Sequence, residues 1–265
     1  MAVEGRRFAF YAASLIVAVL MAAASVVGLA AGIYTTPELY NSFAPNDVVN
    51  LVIGLPLLLG SLWAAWRGSY LGLLFWPGAL VYVIYTYLVY LLAMPFGGLT
   101  LLYAALVIVS LYTLIGLAAS LEPQTAADRL APALAARFAG AVLALLGAFF
   151  IGRGAQLAIA EGTGLPLTEQ ALLIADFFLG SAWLLGGVLL FQRRPFAYAL
   201  GPGLLLQAVA LFAGAVVLLL LKPALTGLPF QPESVVVLSV MSLTCVIPFV
   251  RLVVGAAGNR LRRVQ

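Results

Sequence analysis

The sequence predicts an all-α, polytopic membrane protein of eight transmembrane helices arranged as two parallel four-helix repeats. Three observations lead there. Long apolar runs follow one another from Phe8 to Gly255, basic residues gather at alternate turns, and landmarks of the first half recur in order in the second. Of 265 residues, 65% are hydrophobic and 8% charged, whereas a soluble domain carries about 25% charged residues. Lipid is the solvent that suits such a surface.

A helical span needs roughly 20 mostly apolar residues. The first run, 8–33, opens behind Arg6-Arg7. It is longer than the roughly 7–15 residues of a signal-peptide core, so it is expected to be a retained span. The second, 47–66, starts at Asn46-Asp47 after Pro37 and Pro45 and closes at Trp66-Arg67-Gly68. The third, 70–94, contains Pro77-Gly78, and Pro95-Phe96-Gly97-Gly98 separates it from the fourth, 99–120. The connection 122–136 carries Thr125-x-x-Asp128 and Pro132, which suits a short surface helix. Spans 137–159, 170–192, 196–221 and 233–255 complete the set, divided by Gly162 to Pro166, Arg193-Arg194-Pro195 and Pro223 to Pro232.

Charge sets the expected orientation. With the N-terminus in the cytoplasm, Arg67, Arg129, Arg137, Arg193, Arg194, Arg251 and both arginine-bearing termini fall on the cytoplasmic side. The outer turns keep Lys222 as their one basic residue, beside Glu38, Glu161, Glu169 and Glu233. Both termini are thus expected in the cytoplasm by the positive-inside rule.

The duplication is read from offsets. Arg7-Phe8-Ala9 matches Arg137-Phe138-Ala139, 130 later; Asp47 matches Asp176, 129 later; Pro77-Gly78 matches Pro202-Gly203, 125 later; Ser110-Leu111 matches Ser242-Leu243, 132 later. A basic turn follows the second span of each half. Four spans per half make the repeats parallel, with a pseudo-two-fold axis along the membrane normal. The expected units are 1–121, a cytoplasmic connection 122–136, a second repeat 137–258 and a basic tail 259–265.

Residue types restrict the chemistry. The chain has no histidine and one cysteine, Cys245. His-ligated haem, most zinc sites, a Ser-His-Asp triad and a dithiol pair are therefore excluded. No phosphate loop or dinucleotide fingerprint occurs, so no metal, cofactor or catalytic residue is assigned, and an enzyme is the least favoured class. The net charge of +4 sits at span ends rather than in a stripe, so no nucleic-acid partner is expected.

Polar groups inside spans are costly and usually face the interior. Arg153 in the fifth span and Asp176 in the sixth lie at equal distance from the outer boundary, which predicts a pair, either structural or serving a ligand. Asp47 suits a helix start, capping the first amides, or the lining of an outward cavity together with Asn50. Tyr82, Tyr85, Thr86 and Tyr90 form one stripe of the third span. Tyr87 and Tyr90 suit an interfacial belt, whereas the deeper Tyr82 and Tyr85 need hydrogen-bond partners inside. Gln207 is near mid-membrane and is expected to face inward.

Asn46-Asp47-Val48-Val49-Asn50 with Gly54-x-Pro56 and Trp66-Arg67-Gly68, and Asp176 with Gln192-Arg193-Arg194-Pro195-Phe196-x-Tyr198, resemble an uncharacterised family of prokaryotic eight-span integral membrane proteins. The resemblance implies the eight-span fold and a prokaryotic inner membrane, and no activity.

The expected function is a membrane-embedded small-molecule or lipid binding protein, with transport as one form of that activity. Asp47, Tyr82, Tyr85, Arg153, Asp176 and Gln207 would line an outward-facing polar cavity. The alternative is an accessory or assembly subunit of a larger membrane complex with a protein partner and no small ligand. Cysteine labelling in a cysteine-free background should mark Glu38, Gly162 and Pro229 from outside the cell, and labelling of any two from the cytoplasm would overturn the topology.

Overall fold

The computed structural model describes residues 2–130 and 135–262, with side chains for 8–130, 135–162 and 164–255. Pro132 and the side chains of Arg6, Arg7 and the 259–265 tail lie outside the described residues. The elements are α1 (Ala2–Ala30), α2 (Pro37–Val49), a π-helical turn (Asn50–Gly54), α3 (Leu55–Trp66), α4 (Tyr70–Ala93), α5 (Gly98–Ser120), α6 (Pro123–Leu130), α7 (Ala136–Glu161), α8 (Leu167–Phe191), α9 (Pro195–Thr226) and α10 (Pro232–Arg262). Eight of the helical segments are long and apolar enough to cross a membrane, with α2, the π turn and α3 forming the second. The protein is an all-α, eight-span membrane bundle, as expected.

The second span departs from expectation. It begins at Pro37, ten residues ahead of Asp47, and Asp47 lies inside the helix rather than at its start. The N-cap is Thr36, whose Oγ1 accepts the Leu39 N–H at 3.3 Å. Pro37 sits at the first helical position, where its missing N–H costs nothing, and Glu38 faces the positive end of the dipole. Pro45 is buried within the helix instead of breaking it. The π turn stands directly before Pro56, whose ring would crowd the Val52 carbonyl in a regular α-helix.

The basic turns after α3 and α8 have the same hydrogen bonds. Arg67, Gly68 and Ser69 N–H groups reach the carbonyls of Trp63, Ala65 and Ala64; Gln192, Arg193 and Arg194 reach Val188, Leu190 and Leu189. Each turn has a left-handed residue at the same place, Gly68 at φ 75° and Arg193 at φ 58°. Such caps return the chain sharply, and arginines there also suit the negative helix ends. On this same end of the bundle, α6 packs against α9 and buries Ala126 and Leu130. The Arg129 guanidinium lies 4.5 Å from the Tyr70 ring centroid.

Two cores fill the bundle. One includes Val17, Met21, Leu58, Trp76, Tyr87, Tyr90 and Leu106; the other includes Leu130, Leu143, Leu146, Trp183, Leu205 and Phe212. They meet where α4 packs on α9. There a Cβ on Gly78 would overlap the Gly203 carbonyl, and one on Gly203 would stand 2.8 Å from the Gly78 nitrogen. Around this contact α4 also packs on α8, and α9 on α2. At the far end of the bundle, Thr168 Oγ1 donates to Glu38 Oε1 at 2.6 Å, tying the first turn of α8 to that of α2.

Close backbone approach at Gly78 and Gly203 leaves no room for a side chain. Gly78→Val or Gly203→Val should destabilise the purified protein by about 1–3 kcal/mol or more, as overpacking does. Gly60→Ala, where a Cβ meets nothing within 4 Å, should leave stability unchanged or slightly higher. Thermal unfolding in detergent checks both.

Candidate functional site

Two buried carboxylates occupy contrasting surroundings, and α4 supplies a tyrosine to each. The first, Asp47, is 1% exposed. Its Oδ1 accepts the Tyr90 hydroxyl at 2.9 Å and its Oδ2 accepts the Tyr34 hydroxyl. Asn46 Nδ2 donates to Tyr90 Oη at 3.3 Å. Tyr87 completes the layer, donating to the Met21 carbonyl at 3.1 Å, with Ser25 Oγ 3.3 Å away. Rings of Tyr87, Tyr90 and Tyr103 stack or tilt against one another at centroid distances of 5.2–6.0 Å. Gly28 borders the carboxylate so closely that any Cβ there would overlap Asp47. This is a closed, tightly packed cage.

Tyr87 and Tyr90 therefore do not form an interfacial belt; both are buried, at 0% and 1% exposure. Phe43 and Asn46 of α2 cover Tyr90, while Met21 and Ser25 of α1 and Tyr103 of α5 enclose Tyr87. A phenol in that position buries its ring and spends its hydroxyl on an internal acceptor, which avoids an unsatisfied polar group in an apolar setting.

The second carboxylate, Asp176, is equally buried but sits in the wall of a cleft. Tyr85 donates to its Oδ1 at 2.8 Å, and Arg153 Nη1 lies 3.1 Å from its Oδ2. The helix positions explain the meeting. Arg153 is eight residues before the end of α7 and Asp176 nine after the start of α8, so each lies roughly 12–14 Å from its helix end. Glycines at 140, 147, 180 and 187 bring these two helices into close backbone contact. The pair expected at equal depth is present, but it is one-sided: the Asp176 side chain is 3% exposed and that of Arg153 44%. Arg153 projects into the cleft rather than into the core.

The cleft has a volume of about 850 Å³ and is walled by α2, α4, α7, α8, α9 and α10, a size that suits a small ligand. It opens at the end of the bundle opposite the arginine turns. Ordered by position along their helices, Glu169 and Glu233 in the first turns of α8 and α10 and Lys222 near the end of α9 mark its mouth, Arg153, Asp176, Tyr85 and Thr86 its middle, and Phe149, Phe150, Leu211, Phe212 and Tyr82 its floor. Four of the six residues nominated from sequence thus come together: Tyr82, Tyr85, Arg153 and Asp176.

Asp47 and Gln207 do not line it. Asp47 is turned into the cage, and only its neighbour Asn46 reaches the cleft. Gln207 is fully buried in the second core, where its Oε1 accepts the Trp183 indole N–H at 2.8 Å. Asn50, paired with Asp47 in the cavity alternative, is fully buried, and neither of its amide atoms has a protein partner. The apolar floor carried no sequence signal, because its phenylalanines and leucines differ in no way from lipid-facing ones. The mouth charges did carry one, as outer-turn acids and Lys222, but their convergence depends on how α8, α9 and α10 pack. Compared with protein-family models, curated proteins and solved structures, the chain matches none.

The unequal burial of the ion pair predicts unequal mutants. Arg153→Gln strands a buried carboxylate and should cost about 3–5 kcal/mol. Asp176→Asn leaves an arginine that can remain solvated in the cleft, so its cost should be smaller, under about 2 kcal/mol. The double variant should be more stable than Arg153→Gln alone, and a chemical-denaturation double-mutant cycle measures the coupling.

Proposed function

We propose that the protein binds a small amphipathic molecule or lipid in this cleft, and that binding is the basis of its activity, with transport as one form. One observation carries the proposal: a charged and hydrogen-bonded centre, Arg153–Asp176–Tyr85, stands in the wall of an otherwise mostly apolar cleft. A purely structural ion pair needs no adjoining space of that size. Ionisable groups at membrane depth that border a cavity commonly serve ligands.

The cleft faces outward in this proposal. Support comes from the arginines at the other end and from the acidic residues around its mouth, which follow the positive-inside rule. Localisation in a prokaryotic inner membrane, with membership in the eight-span family that the sequence resembles, belongs to the same proposal.

The two halves are also proposed to be parallel repeats. A two-fold axis brings equivalent positions together, and two such meetings occur: Gly78 with Gly203, at an offset of 125, and Glu38 with Thr168, at an offset of 130. The matched basic turns at residues 67–69 and 192–194 share the offset of 125. On this basis, the halves would rock about the glycine contact if the cleft opens alternately to the two sides.

The accessory-subunit alternative draws support from α7 and α10, whose flanks leave Phe149, Ile159, Val236, Val240 and Leu243 exposed. Lipid covers such faces equally well. Thermal-shift screening of the purified protein against amphiphiles decides between them. Binding should raise the melting temperature, and Arg153→Gln/Asp176→Asn should fold yet lose the shift. Failure of every amphiphile to bind, together with retention of one stoichiometric membrane-protein partner through purification, would favour the alternative.

A further inference from the structure

The layering of the cleft carries the proposed binding function to a ligand class and an entry route. The bottom is apolar, formed by Phe149, Leu211 and Phe212. Above it stands Arg153, which uses Nη1 on Asp176 and keeps its other donors on a side chain 44% exposed. Asp176 itself is 3% exposed and engaged on both oxygens, so the group presented to a ligand at this level is the cation. At the mouth are Glu169 and Glu233 with Lys222, an excess of one negative charge. From floor to mouth the charge of the lining therefore runs from none, to positive, to net negative, with apolar residues such as Leu172 and Leu219 between the upper groups. The complementary molecule has an apolar tail, an anionic group next to it and a cationic group farthest out.

The walls also part on one side. Every fully buried residue of α7 lies between Ala136 and Gly147, near the arginine end. Among the described side chains of α10, the buried ones are Cys245, Pro248 and Leu252, again toward that end. Beyond these stretches, both helices contribute lining residues that remain widely exposed, Phe149 at the floor at 53% and Val237 nearer the mouth at 56%. The corresponding pair in the first half, α1 and α5, packs much more extensively. α7 and α10 pack only sparsely, and their exposed lining residues lie at membrane depth, so the cleft borders lipid between these two helices.

We propose that the ligand is a single-chain zwitterionic phospholipid-type amphiphile that enters from the bilayer between α7 and α10. This rests on the binding function proposed above. Its phosphate would meet Arg153, its ammonium would meet Glu169 and Glu233, and its chain would lie on the floor. Charge-assisted contacts to an exposed guanidinium and to carboxylates give the head group its order.

Three probes test this by native mass spectrometry and equilibrium binding in a maltoside detergent: lysophosphatidylethanolamine, dodecyl phosphate and free phosphoethanolamine. The first should bind one per protein and at least about tenfold tighter than either of the others. Glu169→Gln/Glu233→Gln should narrow its advantage over dodecyl phosphate to within about threefold. The melting temperature of unliganded Glu169→Gln/Glu233→Gln should match that of wild type, which separates the loss of head-group contacts from misfolding. In nanodiscs, Val237→Trp should slow association from the bilayer by about fivefold or more while leaving the melting temperature of the unliganded protein unchanged. Equal binding of dodecyl phosphate to wild type would overturn the head-group assignment. Equal binding of phosphoethanolamine, or an unaltered association rate in Val237→Trp, would overturn the lipid route. Binding of none of the three, with other amphiphiles still bound, overturns the class alone; binding of no amphiphile at all removes the function on which it rests.

Discussion

The approach of α4 to α9 at Gly78 and Gly203 is the contact on which the rest of the bundle depends. In lipid, helices gain little from hydrophobic burial against one another, so their association relies on close packing and internal hydrogen bonds. Two glycines facing each other let two backbones come as near as helices can. From that point α4 and α9 each reach into the opposite half, α4 against α8 and α9 against α2. The seam at one end of this contact becomes core, and at the other end it widens into the cleft.

The tyrosines of α4 show how one helix serves both halves. Tyr90 donates to Asp47 and Tyr85 to Asp176, five residues apart on the same helix. The surroundings then diverge. Asp47 is enclosed by Tyr34, Tyr90 and Gly28, with no space for a ligand beside it. Asp176 has an arginine partner and an open wall. If the halves descend from one unit, the first acid has become a packed structural centre, while the second has kept access to the cleft. A phenol hydroxyl satisfies a buried carboxylate at either site, but only Asp176 carries an opposite charge within ion-pair distance among the described residues.

Departures from regular helix are concentrated in the second span. Pro37 is accommodated because a first-turn proline lacks only a donor that the helix does not use. Pro45 and Pro56 are accommodated because α1, α4 and α9 enclose the segment and the π turn takes up the misfit. A proline-rich stretch that would end a helix in water can continue one in a packed membrane bundle. There the lost hydrogen bond is a local cost, and unwinding would expose several more polar groups to lipid.

Sequence by itself determined the number of spans, the all-helical class, the segregation of arginines from acids and the equal depth of Arg153 and Asp176. These follow from length, hydropathy and the rise of a helix, which are local properties that packing does not alter. Tertiary structure decided which polar residues share a space. Asp47 and Asp176 each accept a tyrosine of α4, yet one is caged and the other borders a cleft, because Tyr34, Tyr90 and Gly28 close around the first. Gln207 faces inward as its depth suggested, but Trp183 claims it. The cleft itself was not legible, because it is built from residues of six helices whose separation depends on interhelical packing. A phenylalanine facing lipid and one facing a ligand are the same letter, and only the arrangement of neighbours distinguishes them.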